Sequence, residues 1–192
     1  MTDIPGYTYA EVEPSPVTTA ELDDLHASLL WGEQDATALA RAAGILVPQT
    51  DAILDVWYGF VGVNPHLVAT FAGADGSLDG AYLAAVRARF GKWIEDLCTR
   101  PHDEIWLGYQ EEIARRHHPV GKNLTDGVAS TSGHVPLGHL IALIVPITVT
   151  IRPFLTAGDA TAEEVDAMHQ AWMKAVTLSV ALWARPYTPE LW

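Results

Sequence analysis

From Thr18 onward, apolar residues recur every three or four positions, and no segment alternates apolar and polar residues with period two over a useful length. The first spacing lines one face of a helix, whereas a half-buried strand needs the second. The fold class that follows is all-α. Thr18 or Thr19 can cap a first helix, with Glu21 in its opening turn and Leu22, Leu25, Leu29 and Leu30 as its apolar stripe. A second helix runs from Glu33 to Val47. Pro48 begins another, whose face is Ile53, Leu54, Trp57, Tyr58 and Val61 and whose end is marked by Gly62 and Asn64-Pro65. "PHLVATFAGADGSLDG" is a short helical turn followed by a glycine-rich loop. Tyr82, Leu83, Val86, Phe90, Trp93, Ile94 and Leu97 then return to helical spacing until Thr99-Arg100-Pro101 breaks it. A further helix carries Ile105, Trp106, Tyr109 and Ile113. After the loop "PVGKNLTDGVASTSGHVPLG" come two long apolar helices, at about 136–157 and 161–184.

At 192 residues the chain suits one well-buried domain and is short for two. Residues 1–17, rich in proline, tyrosine and acidic side chains, read as an extended arm packed over that single domain, 1–192. An apolar share of 49% with only 18% charged residues places the chain among globular proteins. Its 24 acidic and 11 basic residues give a formal charge of -13, which repels phosphate backbones, so nucleic acid is not an expected partner. The only cysteine, Cys98, has no internal disulfide partner and packs as a small apolar residue beside Ile94 and Leu97. No basic segment precedes an apolar run at the N-terminus, so export is not indicated and a reducing cytoplasm is the expected compartment. In "HLIALIVPITVTIRPFL", Pro146, Thr148, Thr150 and Arg152 interrupt the apolar run before the ~20 residues of a membrane span. The segment reads as a buried core helix.

Within "YQEEIARRHHPVGKN", Tyr109, Ile113 and His117 stand at i, i+4 and i+8, so His117 faces inward while His118 is turned about 100° away. A buried, hydrogen-bonded histidine beside a C-terminal cap fits that pattern. A metal ligand fits it too, although no set of Cys and His has the spacing of a structural zinc site. Haem iron needs only one protein ligand from a helix, because the porphyrin fills four positions. Trp57, Tyr58, Phe71, Phe90 and the "LIALIVPIT" helix supply walls for such a pocket, and each of them also serves as ordinary core.

"IPGYTY", "DVWYGFVGVNPHLVATF", "YLAAVRARFGKWI", "RRHH", and "VPITVTIRPFL" followed by "QAWMKAVTLSVALW" occur in an order and spacing that resemble protoglobin, a single-domain relative of the globins and globin-coupled sensors. The resemblance covers nearly the whole chain. It implies a globin-like three-over-three helical sandwich around haem b, with an added N-terminal helix and an arm that covers the cofactor. It implies His117 as the proximal ligand, Trp57 and Tyr58 as the distal pair, and Phe90 as the aromatic over the haem. Val86 stands where a distal histidine would, so a bound gas finds its hydrogen bond from Tyr58 or from nothing polar at all. Arg89 matches a cation that meets a haem propionate, and a solvated arginine would leave the same sequence. Tyr7 and Tyr9 match the closing arm. Leu143, one turn before Ile147, replaces an aromatic of the family and implies a roomier pocket, while Pro146 of the retained "VPIT" removes an intrahelical hydrogen bond and can open a passage between helices.

The leading functional reading is reversible binding of O2, CO or NO at ferrous haem, for storage, scavenging or sensing. Since no output domain follows Trp192, sensing would act through a separate partner. A haem enzyme is the alternative: nitric oxide dioxygenation with a redox partner, peroxidase chemistry or carbene-type group transfer, though Val86 is no acid-base residue. A haem-free helical interaction protein would make His117 purely structural. The last two helices are apolar enough for a homodimer interface, and a thick core would give the same pattern.

Overall fold

The computed structural model describes residues 4–9, 11–128, 132–190 and 192. Residues 1–3 and 10 of the expected arm, and 129–131 of the expected long loop, lie outside the described residues. Eight α-helices are described: α1 Thr19–Ser28, α2 Glu33–Leu46, α3 Thr50–Gly62, α4 Pro65–Val68, α5 Gly80–Thr99, α6 Glu104–His117, α7 Leu137–Leu155 and α8 Ala162–Ala184. Short 3-10 turns, Val47–Gln49 and Arg185–Tyr187, join α2 to α3 and follow α8. The only strand-like pairing among the described residues is a single antiparallel bridge, Ala72 with Leu78.

Local chemistry sets the helix starts. Thr18 and Glu21 form a reciprocal capping box: the Glu21 N–H donates to Thr18 Oγ1 at 3.2 Å and the Thr18 N–H to Glu21 Oε2 at 2.7 Å. Thr161 with Glu164 does the same for α8, and the Asp79 and Asp103 carboxylates cap α5 and α6. Proline fits the first turn of the 3-10 segment and of α4, where its missing N–H has no helical partner to lose.

The helices pack in a globin-like sandwich whose main contacts are α7 with α8, α2 with α8 and α5, α6 with α8, and α3 with α5 and α7. The main core includes Leu46, Ile53, Ile94, Ile151, Leu155, Met168 and Trp172. A smaller core of Val17, Leu22, Trp106, Leu107, Leu178 and Leu182 seats the added helix α1 on α6 and α8. Because α1 and arm residues Val12 and Glu13 lie against it, the stretch Trp106 to Gln110 of α6 is buried without interruption.

Three expectations need correction. Leu30 is 78% exposed: it follows the C-cap Leu29 with φ +54, in the left-handed region that terminates a helix, and so leaves the α1 stripe. Ile105 is 57% exposed, because the inward stripe of α6 begins at Trp106, about 100° further round. Helix α7 is buried along one face only. Leu140, Ile147, Ile151 and Leu155 meet the core, while Ile141, Val145 and Val149 face outward. By length and composition α7 would also suffice to cross a bilayer; its inner face is built into the sandwich.

Candidate functional site

A cavity of about 280 Å³ lies among α3, α5, α6, α7 and α8, with the arm and the 121–126 loop completing its wall. Small-molecule sites usually occupy roughly 300–1,000 Å³, so this space lies close to the lower end of that range. The nine residues expected to hold the cofactor all reach it: Trp57 and Tyr58 from α3, Phe71 after α4, Val86, Arg89 and Phe90 from α5, His117 at the end of α6, and Leu143 and Ile147 from α7. Helical spacing had put Trp57, Tyr58, Val86, Phe90 and His117 on inward faces, while Arg89 and Leu143 were expected from the family resemblance; the sandwich turns them all toward one space.

The His117 ring is held from several sides. Nδ1 lies 2.8 Å from the Ile113 carbonyl one turn back; a carbonyl only accepts, so Nδ1 carries the proton and Nε2 keeps its lone pair. Burial, aided by Lys122 and Arg116, holds the ring below the ordinary histidine pKa, with the Ile113 hydrogen bond opposing, so the imidazole is neutral near pH 7. Nε2 makes no hydrogen bond to any described residue. The Trp183 indole stacks on the ring at 5.3 Å and 21°, and its own Nε1–H donates to Gln110 Oε1 at 2.9 Å. The His117 carbonyl accepts from the Val135 N–H at 2.8 Å and lies 2.7 Å from the Tyr187 hydroxyl. A Cβ on Gly121 would come within 2.6 Å of the Arg115 carbonyl, so this turn requires glycine. His118 is the C-cap; its ring lies edge-on to Tyr187 and does not reach the cavity wall.

Across the cavity, Phe90 meets Trp57 edge-on at 5.7 Å and Tyr58 at 6.5 Å. The Tyr58 hydroxyl makes no hydrogen bond to a described residue. Burial raises its pKa to about 12, against the opposing pull of Arg87, so it stays a protonated donor. Arg89 reaches the wall with its guanidinium already engaged: it donates to Asp126 at 3.0 and 2.6 Å and to the Pro5 carbonyl at 3.3 Å, tying arm to loop. Of the arm tyrosines, Tyr7 lines the cavity, whereas Tyr9 lies outside it.

Sequence reasoning missed several wall residues. Trp183 and Tyr109 sat within recognised helices without being assigned to the pocket. Lys122, 7% exposed, donates to the Thr70 carbonyl and to Asn123 Oδ1, each at 3.0 Å, and burial lowers its pKa. A loop residue has no helical phase, so nothing local showed that it points inward.

Among the described residues no group of three or more His, Cys, Asp or Glu side chains converges as a metal site. Among the described residues the iron-type donor at the cavity is the neutral His117 imidazole with an open Nε2, within largely apolar and aromatic walls; Arg89, Arg116 and Lys122 also reach the wall, engaged with Asp126, with Glu112 and the Gly6 carbonyl, and with the Thr70 carbonyl and Asn123 respectively. A globin-type sandwich closed around such a cavity defines the class of protein that carries a prosthetic group on one histidine, and the residues present fit haem. The chain belongs to the protoglobin family, whose family model matches residues 18–192. The search of curated proteins gave no match. Membership implies a haem cofactor and a gas ligand. The arm at 4–9 precedes the matched residues, so its closing role rests on its own contacts.

Proposed function

We propose that the protein holds haem b through His117 and binds a diatomic gas, O2, CO or NO, reversibly. The observation that carries this reading is the neutral, stacked, backbone-anchored His117 whose Nε2 meets no hydrogen-bond partner among the described residues, in a largely apolar cavity. Bound haem supplies an iron that takes up small gases. The chain's part is to orient the imidazole through Ile113 and Trp183, to keep water out with Phe71, Val86, Phe90, Leu143 and Ile147, and to offer Tyr58 as a hydrogen-bond donor to the guest. The outward apolar face of α7 (Ile141, Val145, Val149), with the exposed Met173 of α8, supports a homodimer of this chain. Cytoplasmic residence, and a redox partner to keep the iron ferrous, belong to the same proposal; a buried Cys98, its pKa pushed up to about 12 by burial, suits a reducing compartment.

The test compares His117→Ala with His118→Ala. Pyridine haemochrome content and the ferrous-CO spectrum should collapse in the first variant and persist in the second. Haem retained in His117→Ala but lost in His118→Ala would overturn the assignment.

A further inference from the structure

Three tyrosines connect the cavity with the outside of the protein. Tyr7 and Tyr109 both line the cavity, and their ring centroids are 4.5 Å apart. Tyr109 lies 4.6 Å from Tyr9, and Tyr7 lies 6.0 Å from Tyr9, which is half-buried and outside the cavity wall. Among the three, only Tyr9 completes a hydrogen bond to a carboxylate of the described residues. Its hydroxyl donates to Asp96 Oδ2 at 2.5 Å, a charge-assisted bond to a carboxylate that is itself 5% exposed and that meets Lys92 Nζ at 3.2 Å through Oδ1. The Tyr7 hydroxyl is buried near the same carboxylate without completing a hydrogen bond to it, and Tyr109 donates only to the Gly6 carbonyl, at 3.2 Å. The guanidinium of Arg100 lies 3.6 Å over the Tyr9 ring.

This difference decides where an oxidising equivalent would rest. A phenol that loses an electron becomes a strong acid, so its oxidation is easy only where the proton has somewhere to go. Among the described residues the hydroxyls of Tyr7 and Tyr109 complete no hydrogen bond to a carboxylate, so the electron crosses their closely packed rings without either phenol giving up its proton. At Tyr9 the proton crosses one short hydrogen bond to Asp96, with no water required.

We propose that Tyr7, Tyr109 and Tyr9 form an electron relay through which the protein oxidises a small anionic reductant at its surface, with hydrogen peroxide as the oxidant in the cavity. The proposal rests on the haem reading above and adds an activity to it. Tyr9 gives one electron toward the cavity and its proton to Asp96, leaving a neutral phenoxyl radical beside a protonated carboxyl. Lys92 and Arg100 oppose this loss of negative charge, which makes the radical a stronger oxidant. Arg100 is also the cation an anionic donor meets. Ascorbate, as the monoanion, returns the electron; Asp96 returns the proton to Tyr9, and the oxidised ascorbate releases its own proton. Two such passages reduce hydrogen peroxide, with two protons, to two waters, so that two ascorbate monoanions become two ascorbyl radical anions.

The experiment uses the haem-loaded ferric protein, freeze-quenched after addition of hydrogen peroxide, with electron paramagnetic resonance as the readout and ascorbate oxidation followed in parallel. A tyrosyl radical is expected in the wild type. The signal and the ascorbate oxidation should both be lost in Tyr9→Phe, and also in Asp96→Asn, where the phenol remains but its base does not. A tyrosyl signal unchanged in Tyr9→Phe, or a tryptophanyl signal in its place in the wild type, would overturn the relay. A wild type with an intact Soret band and no protein radical overturns the relay alone. A chain with no Soret band overturns the haem reading and removes the relay's oxidant with it.

Discussion

Leu143→Phe asks whether the cavity wall is truly open where this chain carries leucine. Leu143 lies on the wall one turn before Ile147, with Ile144 beside it. If these isoleucines closed the space, a ring forced into a filled core would cost roughly 1–3 kcal/mol. In a chain of this length each kcal/mol moves Tm by roughly 2–4 °C, which corresponds to a fall of roughly 2–12 °C. The structure leads to the other outcome, because the added carbons enter cavity space instead of displacing neighbours. The cofactor-free variant should then keep its Tm within about 2 °C of the wild type. Once loaded with haem, the variant loses room beside the guest. A steric penalty of roughly 1–3 kcal/mol weakens imidazole binding by roughly 5- to 150-fold, while the smaller CO should change by no more than about threefold. Calorimetry of the cofactor-free chain and spectroscopic titration of the loaded one measure the two effects independently. Equal imidazole affinities in wild type and variant, or a Tm lower by several degrees, would show that Leu143 does not border usable space.

Tyr58→Phe removes the protonated donor facing Phe90, and a net hydrogen bond of roughly 0.5–1.5 kcal/mol implies O2 release faster by roughly 2- to 13-fold; stopped-flow rates identical in the two proteins would exclude Tyr58 as the donor. Acid should loosen the docking of α1. His26 Nε2 and His102 Nδ1 are 2.9 Å apart, between the rings of Trp31 and Trp106, and burial lowers both pKa values, that of His102 to about 4, with each ring's neighbouring carboxylate (Asp23 for His26, Asp103 for His102) pulling upward. The unfolded chain takes up a proton at His102 below about pH 6.5 that the folded chain refuses until about pH 4, so stability falls across that window as pH falls, by up to about 3 kcal/mol from this group. His102→Phe keeps an aromatic against Trp106 and should flatten the pH dependence of the urea midpoint over that range. An unaltered slope would assign the acid sensitivity to other groups.

What the amino-acid order determined by itself is the direction in which each helix faces. The spacing of Tyr109, Ile113 and His117 aims the imidazole inward, and Thr18 with Glu21 starts α1, because a helix places residues three or four apart on one side whatever surrounds it. The same logic misplaced Ile105 and Leu30, which stand at helix ends where one residue of phase or one left-handed φ reverses a side chain. It also treated α7 as wholly buried, since composition records that a helix is apolar and says nothing of which neighbours cover it. Partners distant along the chain settled the rest. Arg89 finds Asp126, Tyr9 finds Asp96, and Trp183 stacks on His117. Lys122 turns inward from a loop with no periodicity to reveal it. Such pairings depend on how whole helices and loops pack, and short-range spacing carries no information about that packing.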